Sequence, residues 1–118
     1  MILVDTSVWV QHLREGNEQL KALLLKGQVV THPFVIGELA CGNLRNRAEI
    51  LGLLKALPRV SIAEHDEVIH LLSSRRLYSR GLGWVDVHLL ASALLAGCGV
   101  WTLDEALRRT VLYLKLPG

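Results

Sequence analysis

Short apolar runs alternate along the chain with longer segments in which apolar residues recur every three or four positions. Ile2-Leu3-Val4, Val29-Val30-Thr31, Val60-Ser61-Ile62 and Val100-Trp101-Thr102-Leu103 read as buried strands. Tyr113-Leu114-Lys115-Leu116 reads as a short edge strand. Helical spacing predicts helices over 8–14, 17–26, 33 to about 42, 46–57, 64–78, 85–96 and 105–110. Their ends carry recognisable signals. Asn17 suits an N-cap, Pro33 suits a first turn where no N–H is needed, and Asn46 with Glu49 resembles a capping box. Gly27, Pro58 and Gly97 stop the helices before them. Strands alternating with helices imply right-handed crossovers and a parallel sheet. The predicted architecture is one three-layer α/β/α domain over residues 1–118, with a central sheet of four or five strands.

A chain of 118 residues with 51% hydrophobic and 20% charged positions has length for one core, and it is too apolar to stay disordered. Its longest apolar stretch, 85–101, is interrupted by Asp86, His88 and Ser92, so no membrane span is expected. The start, MILVDTSVW, places an Asp where a secretion signal needs basic residues, which points to a cytoplasmic protein. Cys41 and Cys98 lie far apart in apolar contexts, without the spacing of a zinc site.

The acids change the picture. Only four Asp occur, and three hold special positions. Asp5 and Asp104 each follow an apolar strand, and ligands of open parallel sheets bind beyond the carboxyl ends of strands. Asp86 opens a helix on the face that carries Leu89, Leu90 and Ala93. Taken singly, all three could be caps or first-turn acids. Glu38 has no such role, because it lies mid-helix on the stripe of Phe34 and Val35; its structural alternative is a buried ion pair.

Two carboxylates 4 Å apart at an effective dielectric of 20 repel by about 4 kcal/mol. Four acids meeting at a sheet edge therefore call for protons or a cation, and all-oxygen ligation favours Mg²⁺ or Mn²⁺. Such ions grip phosphate oxygens and activate water. Thr6, Ser7 and Thr102 add hydroxyls beside Asp5 and Asp104 that can orient the carboxylates.

DTSVW at 5–9, GELACG at 37–42, GWVDVHLLASA at 83–93 and WTLDEAL at 101–107 together resemble the PIN domain, and more narrowly the VapC toxins of type II toxin–antitoxin pairs. The resemblance spans nearly the whole chain. It implies a metal-dependent endoribonuclease whose catalytic and metal-holding acids fall on Asp5, Glu38, Asp86 and Asp104. It also implies a central first strand, a homodimer, and a VapB-type antitoxin as partner. Leu107 and His88 depart from the usual family pattern, which favours Phe and a small or apolar residue there.

Apart from these four acids, 13 basic residues face seven acidic ones, a balance that suits an RNA backbone. Arg45, Arg47, Arg75, Arg76 and Arg80 are the candidate RNA contacts. His32, near Glu38, and His88, near Asp86, are candidate proton donors, though structural roles suit both. Trp84 can stack on a base or pack. A phosphatase with Asp5 as nucleophile would want a second Asp where Ser7 stands, and no GxxxxGK[ST] loop exists. A phosphate-accepting receiver domain would want paired acids before the first-strand acceptor and a Lys late in the sheet, and their absence, with Glu38 on a helix, speaks against it. The remaining alternative is a non-catalytic PIN-like module that binds RNA or a partner.

Overall fold

The computed structural model describes residues 1–117. Along the chain run β1 (Ile2–Val4), α1 (Thr6–Glu15), α2 (Glu18–Leu25), β2 (Val29–Val30), α3 (Pro33–Cys41), α4 (Arg47–Ala56), α5 (His65–Ser74), α6 (Trp84–Ala96), β3 (Gly99–Trp101) and α7 (Glu105–Tyr113). The sheet is parallel in the order β2-β1-β3, so the first strand is central as expected. Leu3 pairs with Val30 on one side and with Val100 on the other. This register brings the carboxyl ends of β1 and β3 level, which decides where the next residues of each strand meet.

The sheet has three strands among the described residues, against the four or five expected. The segment around Val60 makes only an isolated bridge, Thr31 to Arg59, in which the Thr31 amide donates to Pro58 O and the Val60 amide to Thr31 O. Pro58 has no N–H to extend the ladder, and the Ser61 carbonyl is taken by the Ser92 hydroxyl at 2.7 Å. The expected edge strand at 113–116 is also absent. Helix α7 continues to Tyr113, Leu114 turns inward, and Lys115 adopts φ +56° as the Leu116 amide closes back on Val111 O.

Most end signals act as the sequence suggests. Asn17 accepts from the Leu20 amide at 2.9 Å, and Gly97 closes α6 at φ +68°, a conformation that favours glycine. Asn46 does not cap. It sits at φ +51°, outside the extended region an N-cap needs, and makes no side-chain cap bond. The capping box forms instead at α5, where the Glu64 amide donates to the Glu67 carboxylate at 2.8 Å.

Helix α6 is buried on nearly every side from Val87 to Ala93, consistent with its continuous apolar sequence. It packs on β3 and against α5, while α1 lies on α3 and α3 on α4. Leu3, Val4, Val8, Leu89, Leu90 and Leu107 are fully buried in one core, and Ala63, Val68, Val87 and Ala91 form a smaller cluster between α5 and α6. Among the described residues no helix is long and apolar enough to cross a membrane. Leu90→Ala removes a fully buried side chain from the main core. It is expected to lower unfolding stability by about 2–5 kcal/mol, read as a lower urea midpoint at unchanged m-value.

Candidate active site

Because β1 and β3 end level, Asp5 and Thr102 become neighbours. The Asp5 amide donates to Trp101 O at 2.9 Å, and the Thr102 hydroxyl donates to Asp5 Oδ2 at 2.6 Å. The Ser7 hydroxyl donates to the same oxygen at 2.8 Å. Ser7 Oγ and Thr102 Oγ1 in turn accept the backbone amides of Leu103 and Asp104, each at 3.0 Å. Two strand ends, DTS and TLD, are thus tied by one hydroxyl–carboxylate network. Asp5 occupies the N-cap position of α1 but makes no side-chain cap bond, so capping does not account for it.

The other three acids are held differently. Asp104 caps α7 through Oδ2, which accepts the Leu107 amide at 2.9 Å. Asp86 accepts the Gly83 amide through Oδ2 at 2.9 Å, fixing the start of α6. Glu38, exposed on α3, accepts the Thr6 hydroxyl through Oε1 at 2.7 Å, which spans from α1 to α3. In all four, one oxygen is engaged by a protein donor and the second has none among the described residues.

Asp86 feels the whole set. Burial pushes its carboxyl above the usual range, against the pull of the Gly83 N–H, and the charges of Asp5, Asp104 and Glu38 push it further. No three His, Cys, Asp or Glu side chains among the described residues stand close enough to grip an ion as they are. The four acids nonetheless offer only oxygen donors, and Asp86 feels the charge of the other three, which suits a hard divalent cation and not zinc.

The sequence matches the PIN domain family over residues 2–111. The chain belongs to that family. It is also 48% identical over 109 residues to proteins named Ribonuclease VapC32 from two strains of Mycobacterium tuberculosis, CDC 1551 / Oshkosh and ATCC 25618 / H37Rv. The matched region covers 92% of this chain and 88% of each relative. The resemblance carried by the four motifs therefore holds for the PIN domain and for its narrower VapC likeness.

On the two helices that carry Glu38 and Asp86, this PIN domain has a stack of rings. His32, the N-cap of α3, meets Phe34 edge-on at 4.9 Å, Phe34 meets His88 at 4.8 Å, and His88 meets Trp84 at 4.9 Å. His65 tilts against the outer side of Trp84 at 5.2 Å. Trp84 is therefore packed on one side while 41% exposed. Both inner histidines are buried, His32 completely. His32 Nδ1 accepts the Phe34 amide at 2.9 Å, so its proton resides on Nε2, which has no partner. Burial, with the nearby His88, lowers His32 to about 4; burial likewise lowers His88. Neutral rings of this kind pack; they do not supply an imidazolium at neutral pH.

The five arginines divide. Arg47 is occupied within the fold, donating to Gly42 O at 3.2 Å and to Ala40 O. Arg80 lies 3.9 Å over the Tyr113 ring and donates to Arg76 O. Arg45, Arg75 and Arg76 are exposed, with no side-chain hydrogen bond or ion pair among the described residues. Sequence reasoning missed Arg14, which lines the same cavity as Glu38 from the last turn of α1, because nothing in its helical neighbours marks it out. It also missed Gly83 as the anchor of Asp86, although a residue three before a first-turn acid is the usual partner of such a bond.

His32 yields a signed expectation. Its folded value near 4 lies below the ordinary 6.5, so the unfolded chain binds the extra proton between these limits. Stability is fully present above pH 6.5 and should fall by about 3 kcal/mol as pH drops to 4. Denaturant titrations across that range should show the slope in the wild type and in His12→Gln, and a flatter one in His32→Gln.

Proposed function

We propose that this chain is the toxin of a type II toxin–antitoxin system, a single PIN domain acting in the cytoplasm as an endoribonuclease dependent on Mg²⁺ or Mn²⁺. The observation that carries this reading is the arrangement of Asp5, Glu38, Asp86 and Asp104, each anchored by one oxygen and each offering the other. The two relatives bear the name ribonuclease, which agrees with it. The four acids would hold the cation, which when bound offsets their repulsion and supplies Lewis acidity towards water and a phosphate oxygen. Thr102 and Ser7 fix the rotamer of Asp5 so that its free oxygen keeps one direction. Thr6 does the same for Glu38. Because His32 and His88 are buried and neutral, they position helices and leave proton transfer to water. The surplus of basic residues outside the acids draws the RNA backbone.

A VapB-type antitoxin and a second copy of the chain are the proposed protein partners. The amphipathic helices expected to meet them, α2 and α4, each bury one face and present a leucine outward, Leu25 at 81% and Leu53 at 60% exposure. A dimer at micromolar concentration in light scattering is the expected outcome; a monomer would count against it.

Asp86→Asn separates the site from its structural alternative. Asn retains an acceptor for the Gly83 amide and removes a carboxylate that burial and three like charges disfavour. The metal-free variant should therefore melt higher than the metal-free wild type. A cation that binds only the folded wild type at a hundredfold excess over Kd adds about 2.7 kcal/mol, or roughly 10 °C in Tm, and the variant should lose most of this shift. RNA cleavage with Mn²⁺ should fall by about a hundredfold or more. Equal metal shifts in both proteins would remove Asp86 from the site, and wild-type RNA left intact with Mg²⁺ or Mn²⁺ would favour the non-catalytic module.

A further inference from the structure

A cavity of about 600 Å³ opens between α1, the end of α3 and the start of α4. Glu38 forms part of its wall, so the cavity shares one side chain with the four acids. Its floor is apolar, with Leu39 buried and Leu13 half-buried, while Arg14, Arg45 and Asn46 stand at its edge. The two ion pairs found among the described residues both belong to Glu105, with Arg108 and Arg109, so neither Arg14 nor Arg45 has a carboxylate partner. The lip of the cavity is also fixed. Arg47 ties the 42–46 turn by donating to the carbonyls of Gly42 and Ala40, and Asn46 holds φ +51°, a left-handed conformation that a non-glycine residue adopts only when its surroundings impose it.

We propose that this cavity seats the nucleotide beside the scissile phosphate of an RNA strand, with the base on the Leu13–Leu39 floor and the adjoining phosphate between Arg14 and Arg45. The inference rests on the nuclease reading above and adds a substrate subsite to it. Three features select this occupant. A cavity of this size takes one nucleotide with room for its phosphate. Two unpaired guanidinium forks match phosphate oxygens. Sharing Glu38 with the four acids puts the occupant against one wall of the proposed active site. An acidic peptide would also meet the two arginines, and a fluorescent oligoglutamate titrated alongside the RNA probe distinguishes the two occupants.

The probe is a short fluorescent RNA with 2′-O-methyl groups, which the nuclease cannot cut, titrated by anisotropy at several salt concentrations with Mg²⁺ present. Arg14→Gln and Arg45→Gln should each weaken binding about tenfold. The double variant should flatten the slope of log K against log salt by about 1.4, the share of two phosphate contacts on a single strand. Lys21→Gln, on the exposed side of α2, should leave affinity within about twofold, and circular dichroism should show all variants folded. In cleavage assays the arginine variants should raise KM and leave kcat unchanged. Wild-type affinity and slope in the double variant would overturn the proposal, as would a loss confined to an acidic peptide. Lost oligonucleotide binding in the double variant, alongside a wild type that cuts no RNA, would support the subsite and refute the nuclease reading. Unchanged binding with intact metal-dependent cleavage would do the reverse.

Discussion

The hydrogen bond from Thr102 to Asp5 is the contact on which the site depends. It exists because β1 and β3 run parallel in a register that sets Val4 opposite Trp101, so that the next residue of each strand meets at the sheet edge. From that bond the geometry spreads in both directions. Through Ser7 it reaches the first turn of α1 and the Leu103 amide, and through Thr102 Oγ1 it reaches the amide of Asp104. A shift of one residue in the pairing would turn Asp5 and Thr102 to opposite faces of the sheet and dissolve the network.

In the proposed site the acids serve fold and chemistry with different atoms. Asp104 ends a strand and starts a helix, Asp86 locks the Gly83 turn, and Glu38 joins α3 to α1, all through one oxygen. Capping and ligation, which look like rival explanations when a sequence is read, are compatible within one carboxylate. The energetic burden falls on Asp86, the acid whose ionisation burial and its neighbours most oppose. A perturbed carboxyl of this kind is what the proposed cation site would create, and a neutral residue would hold the Gly83 amide as well.

Much of this was legible in the chain. Apolar runs ending in Asp5 and Asp104 located the strand ends, and an acid without a capping role singled out Glu38. The hydroxyls of Thr6, Ser7 and Thr102 were also readable, though which acid each would hold depended on strand register, a long-range property. The misread segments have local causes. The run at 60–62 has strand composition, but Pro58 and the Ser92 hydroxyl use or remove the groups a ladder needs. Residues 113–116 alternate like a strand, yet the burial of Leu114 continues the packing of α7. Asn46 has the chemistry of a cap and the backbone of a turn. The role of Arg47 as a clamp on the 42–46 turn was hidden for the same reason, since its partners are carbonyls that carry no signature in the sequence.

The ring stack from His32 to Trp84 also acts as a spacer. Its members come from the N-terminal ends of α3 and α6, the helices that carry Glu38 and Asp86, and no hydrogen bond joins those two acids among the described residues. The gap between the two helices is therefore set by the thickness of Phe34 and His88 standing edge to face. Aromatic rings compress very little, so they act as a rigid gauge where a polar tether would flex. Through the rings of Phe34 and His88, the separation of Glu38 and Asp86 is governed by side-chain volume and not by a polar tether between the two acids.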